Sequence, residues 1–366
     1  MPIHPLDLSP ERPPDCLKPL YHGAAGVIWA LRRLEGVSAA EPLRDFDPVV
    51  ATLIDRSRDD LRRHTGVRDY MQSETPAYLV GDAGILLLQW TLAPSDAVAS
   101  ALAEAISARR GDTRGAVWGG AGAMLAAVFM YERTGDDAWR TIFLDHAEAL
   151  LDAWVVEPDA GCRLWTQDLY GIRERRLGAL HGAAANLHAV LRGGALLPTP
   201  ILAEVQASAR ALLAATAIRD RAFANWPMSV GPGGAPGDAL RVQHCIGAPG
   251  MINALAALPS DPRTDALLIA GGELTWRAGP VTKLPGLCHG APGAGYAFLK
   301  LHRRTSEPVW LDRARAFAMH AITQADAARI AHGRRKWSLW TGDLGLAVFL
   351  QDCIDASAGF PTLDVF

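Results

Sequence analysis

A chain of 366 residues, 49% hydrophobic and 20% charged, has globular composition and the length to bury a large core. Its 36 basic residues balance 39 acidic ones, which gives no footprint for nucleic acid and no polybasic patch for a membrane surface. The stretch "MPIHPLDLSPERPPD" lacks the apolar core of a signal peptide, and the run Ala121 to Tyr131 falls short of the roughly 18–20 residues that span a bilayer. A soluble, cytoplasmic protein is expected.

After a Pro-rich segment over 1–19, one frame recurs along the chain: Gly-x-x-Gly, then about ten apolar residues. It appears as "YHGAAGVIWAL" (Gly23, Gly26), "LVGDAGILLLQW" (Gly81, Gly84) and "VWGGAGAMLAAVFM" (Gly119, Gly122). It continues as "LHGAAANLHAVL" (Gly182, with Ala185 in the second place), "CIGAPGMINAL" (Gly247, Gly250), "CHGAPGAGYAFL" (Gly290, Gly293) and "LWTGDLGLAVFL" (Gly342, Gly345). Between the seven copies lie six amphipathic, charge-striped segments with helical spacing, several opening on Asp, Ser or Thr near Pro, as helix starts do. The pattern predicts an all-α fold: an α/α toroid, one domain over 1–366 with repeats over about 20–356. Seven apolar helices form its inner ring, and an outer layer of amphipathic helices wraps them. No stretch reads as alternating strands, so negligible strand is expected. Where the inner ring converges, glycine admits close backbone approach.

If the frames meet at one rim, equivalent positions face one another. Two residues before the first glycine stand Tyr21, Leu79, Val117, Leu180, Cys245, Cys288 and Trp340; one before it stand His22, Val80, Trp118, His181, Ile246, His289 and Thr341. Cys245, Cys288 and His289 thus fall at one height on adjacent helices. Two thiolates and an imidazole suit Zn2+, and three protein ligands leave a fourth position for a substrate. Two thiolates also cancel the metal charge, so that a third thiolate held there stays nucleophilic. His244, adjacent to Cys245, is a strained candidate for a fourth ligand. Cys16, Cys162 and Cys353 have no ligand neighbours and read as core or loop residues, and five cysteines make no disulfide framework.

His181 points at the same opening and suits general acid or base work. Arg241 and Lys283 lead into the two cysteines, where cations bind an anionic substrate or stabilise an enolate. His22 holds the matching place in the first repeat, His188 falls on a helix body as core, and Trp118, Trp165 and Trp340 are candidates for the cavity wall.

These residues resemble the lanthionine synthetase C-like family, the LanC cyclases and their eukaryotic relatives. The carrying motifs are "RVQHCIGAPG" (241–250), "KLPGLCHGAPGAGYAFL" (283–299), "LHGAA" (180–184) and the seven frames, covering about residues 20–355. The resemblance implies zinc bound by Cys245, Cys288 and His289, an active-site histidine at His181, an arginine at Arg241, and a lysine at Lys283 where the eukaryotic members contact glutathione. It implies addition of a zinc-bound thiolate, from a peptide cysteine or glutathione, to dehydroalanine or dehydrobutyrine in a dehydrated peptide or protein. The sequence departs from the family at His244, where an aromatic residue is common, and at Ile246, where cyclases often carry Tyr or His. Asp112 is the nearest acid to the third frame, and the first inner helix lacks an evident outer partner. Two other readings are a zinc-dependent thiol-alkylating enzyme of prenyltransferase type, which usually uses an Asp-Cys-His set, and a zinc-keeping binding module without turnover.

Overall fold

The computed structural model describes residues 4, 17–41, 45–63, 77–107, 115–158, 160–169, 172–231, 241–282 and 285–366. Each glycine frame starts a helix. The first glycine is the N-cap in all seven, and the helices are α1 (Ala24–Gly36), α4 (Asp82–Leu92), α6 (Gly120–Thr134), α8 (Ala183–Arg192), α10 (Ala248–Leu255), α12 (Ala291–Thr305) and α14 (Asp343–Ile354). They are apolar nearly all round: in α6 every residue from Ala121 to Met130 is buried, and in α12 every residue from Ala291 to Leu301. Such helices belong inside a ring, not on its surface.

The amphipathic segments form the outer layer, each burying one stripe. They are α2 (Asp47–Val50) with α3 (Leu53–Arg63), then α5 (Asp96–Ser107), α7 (Asp137–Asp152), α9 (Thr199–Ala215), α11 (Pro262–Ala278) and α13 (Pro308–His332). Asp136 caps α7 by accepting from Ala138 N, and Asp261 caps α11 by accepting from Arg263 N and Thr264 N. Among the described residues six outer positions serve seven inner helices, as the sequence pattern foretold; the junction of α14 with α1 has none.

The second glycine of the frame has a specific reason. A Cβ at Gly293 would lie 1.7 Å from the Leu287 carbonyl of its own loop and 3.0 Å from the His244 Cβ of the preceding repeat. At Gly26 the same two contacts are the Leu20 carbonyl at 2.0 Å and Leu339 Cβ at 3.0 Å, so repeat seven packs on repeat one and the ring closes. Close approach at the rim is therefore real, but the tightest atom belongs to the loop curling back over each helix start.

Strand was expected to be negligible, and short strands are present. After α7 come β1 (Val155–Glu157), β2 (Cys162–Leu164), β3 (Gln167–Leu169) and β4 (Ile172–Arg176); after α9 come β5 (Ile218–Asp220), β6 (Phe223–Asn225) and β7 (Ser229–Val230). β1–β2, β3–β4 and β5–β6 are antiparallel ribbons, and β4 also pairs with β7, Arg176 opposite Ser229. β1 to β4 carry the chain from the outer layer to the fourth frame, and β5 to β7 lie between α9 and the fifth, with β7 joined to β4.

The tail after α14 turns back into the lumen. Tyr78 Oη donates to the Thr362 carbonyl at 2.7 Å, Trp340 Nε1 to Thr362 Oγ1 at 3.2 Å, and Arg192 Nε to the Asp364 carbonyl at 3.1 Å. Phe360 stacks on His244 with ring centroids 4.2 Å apart. The carboxylate of Asp364 pairs with Lys300, only 2% exposed, and lies 3.4 Å from His188 Nε2. Burial would raise Asp364, but Lys300 and His188 outweigh it and hold the carboxyl below its usual range. His188 is thus a buried residue, as expected, and also a clamp on the tail.

Gly293→Ala should destabilise the fold by about 1–3 kcal/mol or more through overpacking. Ala185→Gly, where the frame already carries a Cβ, should cost about 1 kcal/mol, measured by urea unfolding of both. Asp364→Asn strands the Lys300 charge and should cost about 3–5 kcal/mol in the same assay. Because the Asp364 pKa is depressed in the fold, its contribution is present above the unfolded value near ~3.9 and fades as pH falls through the native value. Wild-type stability should therefore drop more steeply on acidification than that of Asp364→Asn.

Candidate functional site

Backbone hydrogen bonds tie neighbouring rim loops at the frame position two residues before the first glycine. Cys245 N donates to Cys288 O at 3.3 Å, Cys288 N to Trp340 O at 2.9 Å, Trp340 N to Tyr21 O at 3.1 Å and Tyr21 N to Leu79 O at 2.8 Å. Cys245 and Cys288 are therefore in register because the repeats are. Gly247, in the left-handed region at φ +106°, turns the chain from Cys245 into α10, and Asn225 secures it by donating to Arg241 O at 3.2 Å and accepting from Ala248 N at 2.8 Å.

The ligand atoms of Cys245, Cys288 and His289 all lie within 4.8 Å of one another, with Cys288 Sγ 3.6 Å from His289 Nε2. A tetrahedral zinc with bonds near ~2.1–2.3 Å wants donors about 3.5–3.8 Å apart, so this set fits the metal with small side-chain adjustment. Hydrogen bonding from Cys288, with His289 and Gln243 adding to it, brings the Cys245 thiol down to about 5 against the opposing effect of burial. A cysteine held as thiolate at neutral pH is a ligand ready for a soft cation. Both cysteines are buried and His289 is half-buried, so the cluster opens on one side only.

His244 does not join the set. It is buried with its ring against Phe360, its Nδ1 lies 3.1 Å from Asn253 Nδ2, and Asn253 also donates to Gly293 O at 2.9 Å. Burial above all pulls His244 down to about 3, so it stays neutral.

His181 lies at the rim against Trp118, rings stacked with centroids 4.8 Å apart and 22° between planes. Burial first, then the charges of Arg176 and His289, pull it down to about 3. Gly178, in the loop that leads into His181, packs on the next rim loop, where a Cβ would lie 2.1 Å from the Cys245 carbonyl, so His181 stands beside the cluster, and its buried Nδ1 has no hydrogen-bond partner among the described residues. Arg176, on β4, is tied to Glu174. Arg241 is exposed, and its guanidinium makes no hydrogen bond or ion pair to described residues. His22 meets Tyr21 edge-on at 4.7 Å, and Tyr21 stacks on Trp340 at 5.5 Å, so it shares the rim on the side of the seventh repeat. Trp165 is outer packing, stacked flat on Trp154 at 4.6 Å with its Nε1 donating to Leu150 O. Trp340 is wholly buried against the tail. Of the three tryptophans, Trp118 alone touches His181. Lys283, Asp112 and Cys16 lie outside the described residues.

The sequence does not single out Gln243 in the loop before Cys245, Asn225 at the end of β6 or Asn253 within α10. The only signal was polarity where the repeat is otherwise apolar.

A closed ring of helix hairpins with a thiolate-rich cluster on its rim defines the class: an α/α toroid built around a soft-ligand site. The lanthionine synthetase C-like protein family profile matches residues 18–365, and the chain belongs to that family. Nisin cyclase shares the fold, with a TM-score of 0.55 over 92% of this chain and 93% of that one at 13% identity. The zebrafish (Danio rerio) protein named glutathione S-transferase LANCL1 is 37% identical over 141 residues, 35% of this chain and 33% of that protein. The LanC-like protein GCL1 of Arabidopsis thaliana is 32% identical over 220 residues, 57% of this chain and 47% of that protein. The matched stretches thus span between a third and a half of these relatives. No helix among the described residues is long and apolar enough to cross a membrane.

The burial of His181 makes a direct prediction: its ring signals in an NMR titration should stay at the neutral position from pH 8 down to about 5, while exposed histidines move near ~6.5. A His181 midpoint above pH 6 would contradict the stated environment.

Proposed function

We propose that this protein adds a thiol across the double bond of a dehydroalanine or dehydrobutyrine residue, forming a thioether, in a reducing cytoplasm where its cysteines stay free. The observation that carries the reading is the Cys245–Cys288–His289 cluster set beside a buried histidine on one rim. Family membership supports it, as do the names of the relatives, one a peptide cyclase and one a glutathione transferase. They make a peptide cysteine and glutathione the two thiol candidates.

Cys245, Cys288 and His289 would hold Zn2+, which when bound supplies a positive centre that keeps a substrate thiol deprotonated. The chain's own groups do the rest. His181, neutral at working pH, accepts the proton the thiol loses. The sulfur then forms its bond to Cβ, the Cα–Cβ π pair moves onto the carbonyl as an enolate, and Cα takes a proton back from His181. Atoms and charge balance with no further reactant. A depressed pKa makes His181 a weak base and, once protonated, a strong donor, so the return step gains what the first transfer loses, and a bound metal would offset that loss by acidifying the thiol. Trp118 fixes the imidazole by stacking. Arg241, exposed on the loop into Cys245 and without an ion pair among the described residues, serves the enolate oxygen or a substrate carboxylate.

The test is thiol addition to a dehydroalanine peptide, with the peptide's own cysteine and with glutathione. His181→Asn should lose about 10²–10⁴-fold in rate with zinc content and helicity unchanged. Wild-type rate in that variant would remove His181 from the mechanism. A zinc-loaded wild-type protein inert toward every dehydroamino-acid substrate would leave a binding module instead.

A further inference from the structure

Gln243 stands two residues before Cys245, and the turn between them is closed by two backbone hydrogen bonds, Gln243 N to Ile246 O at 3.1 Å and Ile246 N to Gln243 O at 3.2 Å. The turn folds the Gln243 side chain over its own loop and brings Nε2 to 3.0 Å from Cys245 Sγ. Both residues are buried, at 9% and 7% exposure. Water therefore has little access to the sulfur, and the amide is a built donor to it. A metal-bound thiolate carries no proton and only accepts, so the contact has one sense: Gln243 N–H donates to sulfur.

We propose that Gln243 is a positioning residue of the metal centre, its amide locking the Cys245 rotamer and drawing charge from that thiolate. The inference rests on the metal reading proposed above and deepens it. A thiolate that shares its charge with an N–H donor gives less of it to the metal. A cation held there would stay more electrophilic than two free thiolates would leave it, and would polarise a substrate thiol more strongly. Groups behind a metal's direct ligands typically change affinity or activity about 10–100-fold when removed.

Gln243→Met removes the donor and keeps the length; Gln243→Glu keeps the shape and sets an acceptor against the sulfur. Wild type and both variants are loaded with Zn2+ for chelator competition and with Co2+ for absorption spectra, with far-UV circular dichroism as the control for folding. The expected result for Gln243→Met is zinc affinity down about tenfold, because the lost rotamer lock outweighs the stronger donation of the freed sulfur, and the sulfur-to-cobalt charge-transfer bands moved to lower energy, because sulfur lone pairs rise when the N–H is lost. Gln243→Glu should weaken zinc binding further. A purely structural role would lower the melting temperature without moving the bands. Wild-type bands and affinity within about twofold in a folded Gln243→Met protein overturn the proposal. Should that variant not fold, wild-type bands in Gln243→Glu do the same. A wild-type protein that takes up neither metal overturns the metal reading, and this inference with it.

Discussion

The structure depends on a hydrogen-bonded circuit of backbone at the rim. Cys245 leans on Cys288, Cys288 on Trp340, Trp340 on Tyr21 and Tyr21 on Leu79, each through one N–H to one carbonyl. The circuit forms only if the loops come close, and they come close only because a glycine sits at the third position of the helix each loop enters. Backbone amides buried in this way must find partners, and here the partner is the next repeat. Two cysteines separated by 43 positions in sequence thus become neighbours through main-chain geometry. The cluster is a by-product of ring closure, with chemistry added at two of seven equivalent positions.

The opposite problem, an open lumen under the cluster, is solved by the tail. Phe360 lies beneath His244, Thr362 meets Tyr78 and Trp340, and Asp364 is held by Lys300 and His188. A buried ion pair is weak evidence for stability when compared with an apolar substitute, but losing one partner is costly. Its value here is register: one carboxylate meeting two cationic or polar side chains fixes how deep the tail sits, and so how Phe360 supports the loop of Cys245. The same dryness sets the chemistry above it. Burial keeps His181 and His244 neutral, while hydrogen bonding brings Cys245 toward the thiolate.

Much of this could be read from the sequence, for a physical reason. A frame repeated seven times advertises itself, and positions equivalent in the repeat become equivalent in space, so Cys245, Cys288 and His289 were legible together and His181 beside them. His188 reads as buried and is buried, and the six outer segments are present among the described residues, the first of them broken into α2 and α3. What repeats do not encode was lost. The ribbons β1 to β7 run two to five residues each, too short for a period of two to show, and β1 and β5 are exposed rather than alternating. The tail "ASAGFPTLDVF" carries no periodicity, and its role appears only against the lysine buried in α12. Gln243 makes its contact through a turn, which leaves no trace in composition. Trp165 could not be told from Trp118 by sequence, since packing and cavity-lining tryptophans look alike there.

The central claim is that ring closure builds a three-ligand zinc site from Cys245, Cys288 and His289. Zinc-edge X-ray absorption on the purified protein tests it most directly. The account predicts about one zinc per chain with two sulfur neighbours near ~2.3 Å and nitrogen or oxygen neighbours near ~2.1 Å. Cys245→Ala and Cys288→Ala should each lose a sulfur or the metal altogether. A zinc shell made only of nitrogen and oxygen, or stoichiometric zinc with an unchanged spectrum after both cysteines are replaced, would contradict it.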